Sequence, residues 1–406
     1  MTICIVDQYF SINKIFLRAV ALWPYHRTKF NEFQWFFFLV ILITFILAQL
    51  ATFLTTECTP NMTIKIMSLA LSFTLYLIKY VSFRVNADTI RYILERCQYM
   101  CDELTDEGEI AIIKECGHEA KRFTMLMLLY GASNIMITCF LPVFPRILRT
   151  FTSINMSGEQ FMIDIMREYF VDQDKYYYYI LLHMDVSYII GIIVIPATGS
   201  LLFGGMKYIC GLFKIASYRI DQTMETPMFQ SAGFSKDYVI YKKIVHAVDI
   251  HRKATELSDK MISDFVGTCC LIMLVSVTSL SLNLYGVHQA MMLGSAMKEY
   301  LVHVKCISVS VMYMFIGNYI GQEITDYHNH IFSSIYNMKW YGTSLYIQRI
   351  ILFMVQRGTE NFYIVFAGMF VLSMENAAMV KIFHVMSCYN LTSNYNLPSN
   401  MHFTVN

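Results

Sequence analysis

The sequence predicts an all-α membrane protein with seven transmembrane helices, the N-terminus cytoplasmic, the C-terminus extracellular, and cytoplasmic helical extensions forming an anchor bundle. Three observations predict it. Of 406 residues, 56% are hydrophobic and only 15% charged, with mean hydropathy +0.45, whereas a soluble domain carries about a quarter charged residues. Apolar runs of spanning length recur along the chain. Lys and Arg gather on alternate connecting segments.

A helix needs about 20 mostly apolar residues to cross about 30 Å of hydrocarbon. Such runs lie at 33–54, 64–83, 123–145, 178–203, 263–286, 300–321 and 366–390. Pro142 and Pro145, near the end of the third, predict a kink there. The segments that share a side with the N-terminus hold 22 Lys and Arg, and the opposite segments hold five. The positive-inside rule therefore places the N-terminus inside and the C-terminus outside. The three Asn-x-Ser/Thr sequons, at Asn61, Asn155 and Asn390, all fall on the outer side, as candidate glycosylation sites require.

Between the spans, Ile90, Ile93, Leu94, Cys97, Cys101 and Leu104 recur at helical spacing, as do Ile240, Ile244, Ala247, Ala254 and Met261. Spans two to five are expected to continue as helices below the membrane and to pack into a bundle. No stretch is long enough for a separate soluble domain, so residues 1–406 form one unit. The first residues lack the order of a cleavable signal, and insertion is expected to rely on an internal helix.

Several function classes are excluded. A net charge of +1 argues against nucleic acid. The eleven cysteines are scattered, with only Cys58 in a short outer loop, and neither a disulfide framework nor zinc spacing emerges. Cys97 and Cys101 fit the apolar face of a helix. No cofactor or metal is expected. No paired carboxylates or nucleophile–base pair points to an enzyme, and a transporter would show broken helices in both halves. A G-protein-coupled receptor has the reverse topology, and neither Asp-Arg-Tyr at the third span nor Asn-Pro-x-x-Tyr in the seventh is present. That topology also weakens a retinal-type role for the lysine in the last span.

Three stretches carry a family resemblance. One is Phe170-Val171-Asp172-Gln173-Asp174-Lys175-Tyr176, followed by Leu181-Leu182-His183. The second runs from Cys210-Gly211-Leu212-Phe213-Lys214 to Ile220. The third holds Trp340-Tyr341, Arg349, Leu352, Met354, Arg357 and Ala367-Gly368-Met369-Phe370-Val371-Leu372-Ser373-Met374-Glu375. Over nearly its whole length the chain resembles the insect odorant receptors. The resemblance implies an odorant-gated, nonselective cation channel in the plasma membrane of olfactory sensory neurons, a heterotetramer of a tuning subunit and a shared co-receptor. The fourth loop lacks a co-receptor's longer insertion, so this chain resembles a tuning subunit. Small volatile hydrophobic ligands, membrane lipid and permeant cations are the other implied partners. Gustatory receptors share the architecture, but their Thr-Tyr-x5-Gln-Phe signature is absent from the last span. The family architecture puts a ligand-binding bundle in the outer halves of spans one to six (33–321), and an anchor helix plus pore-lining last span in 322–406.

In such a family the ligand cavity lies among spans two, three, four and six. The candidates are positional: Phe73 and Tyr76, then Ile135, Thr138 and Phe140, then Met184 and Ser187, then Tyr300 and Val304. Ordinary helix packing is the competing account of each. His183 and Asp185 are ionisable near an outer helix end, and either reach the interface or meet the ligand.

The last span carries Glu375, Lys381 and His384 in an apolar run, where charged groups cost about 2.5 kcal/mol or more. At 100° per residue, Ser373, Ala377, Lys381, His384 and Cys388 share a sector of about 120°. Packing through small residues explains Ala377 and Cys388 but not Lys381 with His384, so these five are read as pore-lining. Glu375 follows a helix break expected near Gly368, where a helix N-terminus stabilises its charge. The chain reads Val385-Met386-Ser387-Cys388-Tyr389-Asn390 where the family usually ends in a Ser-Tyr-Phe-like stretch, so the family's gate residues do not carry over.

Overall fold

The computed structural model describes residues 8–25, 28–55, 59–152, 173–225, 234–292, 297–337, 340–358, 365–366 and 370–375. Its α-helices are α1 (Ser11–Ala19), α2 (Lys29–Thr55), α3 (Pro60–Val85), α4 (Ala87–Asp102), α5 (Glu107–Thr152), α6 (Gln173–Glu225), α7 (Phe234–Met292), α8 (Met297–Asn337) and α9 (Leu345–Arg357). By length and composition α2, α3, α6, α7 and α8 can cross a membrane, and they carry the predicted spans one, two, four, five and six. The third predicted span lies on α5, whose backbone stays helical past Pro142 and Pro145 to Thr152.

Two expectations need correction. Span two does not continue as one helix: α3 ends at Val85, and the chain turns at Asn86 before α4. The turn costs no hydrogen bond, because the Asn86 N–H is accepted by the Ser82 carbonyl and the Ile90 N–H by the Asn86 carbonyl. The seventh span, predicted at 366–390, does not begin as a helix. Strands β1 (Val365–Phe366) and β2 (Phe370–Val371) pair antiparallel, Val365 opposite Val371, and helical backbone starts at Met374. Valine and phenylalanine favour extended pairing, and Gly368 interrupts the apolar run between them. The rest of that span lies outside the described residues.

α6 is the central helix, packing against α1 to α5, α7 and α8. Its Ile209, Leu212, Phe213 and Ile215 are fully buried, because other helices pack around it. The faces that helical spacing predicted are the buried ones: Ile90, Ile93, Leu94 and Cys97 on α4, and Ile240, Ile244, Ala247 and Ala254 on α7. Burial pushes the Cys101 thiol up to about 12, with the nearby Asp102 charge adding to it, so it packs as a neutral group.

Polar ties fix the helices at the basic end of the bundle. Asn13 on α1 donates to Ser200 Oγ at 2.6 Å and to the Ala197 carbonyl at 3.3 Å. Tyr80 of α3 donates to the Val20 carbonyl at 3.0 Å. Arg219 of α6 grips Glu109 of α5 with two nitrogens, at 2.5 and 2.9 Å, and reaches His246 Nδ1 of α7 at 2.7 Å. Lys207 of α6 lies 2.7 Å from Glu119 of α5 and 2.5 Å from Glu323 of α8. Paired charges are what make burial of such groups tolerable. In the interior of α8, Leu372 occupies the space beside Gly321, where a Cβ would overlap it.

Candidate functional site

Within a turn of the Asn13–Ser200 tie, α3, α5, α6 and α8 line a cavity of about 40 Å³. Tyr76 comes from α3, Met127, Tyr130, Gly131 and Asn134 from α5, Tyr188, Ile192, Ile195 and Pro196 from α6, and Lys305, Val309 and Met312 from α8.

Backbone chemistry shapes this cavity. Pro196 has no N–H to donate to the Ile192 carbonyl, so α6 loses a helical bond at the cavity wall. Around it Thr198 and Ser200 turn their hydroxyls onto the Val194 and Pro196 carbonyls at 2.7 and 2.5 Å, a pattern that bends helices. At Gly131 α5 packs on α6 with space for a Cβ in ordinary contact, 3.4 Å from Ile192 Cγ2 and 3.5 Å from its carbonyl oxygen. Gly191 makes room for the Tyr76 ring, which fills the position a Cβ would take.

A cluster of tilted and edge-on aromatic rings backs the lining. Phe73 meets Phe45 at 4.3 Å, Tyr76 at 5.2 Å and Tyr188 at 6.5 Å between ring centroids. The polar groups are few. The Tyr130 hydroxyl pairs with Ser308 Oγ at 2.9 Å, and the Asn134 amide donates to the Tyr130 carbonyl at 2.8 Å. The Lys305 ammonium lies 4.1 Å from the centroid of the Tyr188 ring. The Tyr188 hydroxyl is buried and has no hydrogen-bond partner among the described residues.

Of the positional candidates, Tyr76 lines the cavity and Phe73 stands directly behind it. Ile135 and Met184 are partly buried against the core. Ser187 is buried and donates to the His183 carbonyl at 2.7 Å. His183 turns to α2, with Nε2 3.2 Å from Thr44 Oγ1 and its ring edge against Phe45. Asp185 and Tyr300 are half-buried, and Val304 is exposed. Thr138 and Phe140 lie on α5, their side chains outside the described residues. Asn61 falls in the first turn of α3, where Thr59 caps the helix at the Met62 N–H. The side chain of Asn61, together with Asn155 and Asn390, lies outside the described residues.

Among the pore candidates, Ser373 donates its backbone N–H to Asn318 Oδ1 of α8 at 3.2 Å. Ala377, Lys381, His384 and Cys388 lie outside the described residues. Glu375 is exposed at the onset of a helix, the position expected for it.

Sequence reasoning missed Lys305 and Pro196. Both carry a readable signal: an ionisable residue inside a predicted span is a functional candidate by default, and a proline inside one weakens the helix.

A bundle of long apolar helices of this kind is the architecture of a multi-pass membrane protein. The chain belongs to the 7tm odorant receptor family, whose model it matches over residues 59–383. Among solved structures it is similar to the insect olfactory receptor OR5 from Machilis hrabei: TM-score 0.74, 13% identity, 95% of this chain and 98% of that one. The same receptor in complex with eugenol aligns at TM-score 0.72 and 13% identity, covering 96% and 98%. At that identity the likeness is one of fold. No curated protein matches by sequence.

Proposed function

We propose that this chain is a tuning subunit of an odorant-gated cation channel. The observation that carries the reading is the cavity lined by α3, α5, α6 and α8, apolar and aromatic with a few polar groups. The solved relative in complex with eugenol has the same fold. At about 40 Å³ the cavity is far smaller than the roughly 300 Å³ or more of ordinary ligand sites. Binding therefore has to move its walls, and a ligand that fits the expanded state better shifts the equilibrium toward it. Pro196 gives α6 a weak point at that wall.

The ligand is a small volatile hydrophobic molecule, and the partner is a co-receptor in a heterotetramer of the plasma membrane. The N-terminus is inside, the C-terminus is outside, and cations pass along Ser373, Ala377, Lys381, His384 and Cys388. The test is whole-cell recording from cells expressing the chain with an odorant co-receptor, under G-protein blockade. Odorant-evoked current is expected, and silence of the surface-expressed pair across a broad panel overturns the reading. Lys381 repels permeant cations, so Lys381→Gln is expected to raise conductance and divalent permeability in single-channel recordings. Unchanged values remove Lys381 from the pathway.

A further inference from the structure

The cavity's polar groups specify more than "hydrophobic volatile". Lys305 places an ammonium at the lining, over the face of the Tyr188 ring at 4.1 Å. Tyr188 is nine-tenths buried, lines the same cavity, and its hydroxyl has no partner among the described residues. A hydroxyl left so in an apolar setting is destabilising until something accepts from it. The two donors sit on one ring, within reach of the two oxygens of a single small group. Along the same two helices, one and two turns further on, the lining continues as Ile192, Ile195, Val309 and Met312, which suit a short apolar tail and whose side chains offer it no hydrogen bond.

We propose that the ligands this subunit prefers are short volatile carboxylic acids, bound as carboxylates with the head group on Lys305 and Tyr188. This rests on the odorant-receptor reading above. A carboxylate accepts from both donors and carries the charge opposite to Lys305. An alcohol offers one weaker acceptor and an alkane none.

The experiment compares butanoic, hexanoic and octanoic acids with the alcohols and alkanes of equal length, on cells expressing the chain with a co-receptor. Acid binding is measured separately as thermal stabilisation of the purified receptor. Each acid is expected to act at a concentration about tenfold or more below its matched alcohol. Lys305→Met should weaken the acid response about tenfold or more beyond any change in the alcohol response, Lys305→Arg should keep most of the acid advantage, and Tyr188→Phe should lose part. Equal potency of acids and alcohols, or a Lys305→Met shift common to both, overturns the assignment. Currents evoked by other odorants with no response or stabilisation by acids overturn the acid assignment alone. Lys305-dependent stabilisation by acids without any odorant-evoked current upholds it and overturns the channel reading. Neither stabilisation nor current overturns both.

Discussion

Lys207 shows how a single side chain ties the bundle together below the cavity. Its ammonium is almost fully buried between Glu119 and Glu323 and joins α5, α6 and α8, three of the four helices that wall the cavity. Removing one partner of a buried pair leaves the other charge uncompensated, a loss of about 3 kcal/mol or more. Lys207→Met should lower the melting temperature of the purified receptor, and Lys207→Met with Glu323→Met should recover most of the loss. No recovery would mean that Lys207 acts through packing alone. Histidines make a second residue-scale case. His251 and His328 meet with tilted rings, 4.6 Å between centroids, between α7 and α8 against Phe213 and Phe332, in the segments beyond the predicted spans. Burial, helped by the neighbouring His328, pushes His251 down to about 4, although the His328 backbone partly opposes this. His328 is lowered by burial, while its hydrogen bond to Asn329 works the other way. The unfolded chain therefore binds more protons, and stability present above about pH 6.5 is lost as pH falls toward 4, by about 2 kcal/mol at pH 5 for His251. The melting temperature should fall between pH 7 and 5, and His251→Leu should flatten that fall.

At the scale of one element, α6 decides the shape of the site. Its sequence is mostly apolar from Ile180 to Phe203, with His183 and Asp185 near one end, yet Gly191 and Pro196 give its wall a notch and a missing bond. Gly191→Ala sets a methyl against the Tyr76 ring, so the ring must move into the cavity or away from it. The expected outcome is loss of odorant-evoked current with surface expression retained. Gly199→Ala, whose Cβ would meet only Tyr313 Oη at 3.9 Å, should respond as the unmodified chain does. Equal effects of the two would remove Tyr76 positioning from the account. The helices themselves were legible, since long apolar runs and 3.6-residue spacing need no tertiary information. The turn at Asn86 and the β1–β2 pairing were not. A local break inside an apolar run leaves hydropathy unchanged, and only pairing with a neighbour reveals it.

For the whole molecule, α9 is the telling surface. Its Ile347 and Ile351 are buried, while Leu345, Tyr346, Leu352 and Phe353 are each at least 60% exposed. Beyond the predicted sixth span, an apolar face of this kind needs a partner, and the proposed heterotetramer supplies one. Leu352→Glu should leave the subunit folded but prevent co-purification with the co-receptor. Intact assembly would move the interface elsewhere. The exposed phenylalanines of α2, Phe30, Phe33, Phe36 and Phe37, are of the opposite kind. They lie on a membrane-length helix, and lipid covers them.

By itself the sequence determined the class of molecule, the number and order of apolar runs, their predicted orientation and the inward faces of α4 and α7. Those properties are set by composition and periodicity, which every residue reports locally. It also marked Tyr76, because span and depth can be read along one helix. What only the tertiary structure decided is which side chains from four separate helices share one cavity. Rotation about each helix axis is set by packing against α6, and no single helix's sequence records it. Hence His183, ionisable and well placed along its helix, turns to Thr44 and Phe45, while Lys305, one more charge within a predicted span, meets Tyr188 at the cavity wall.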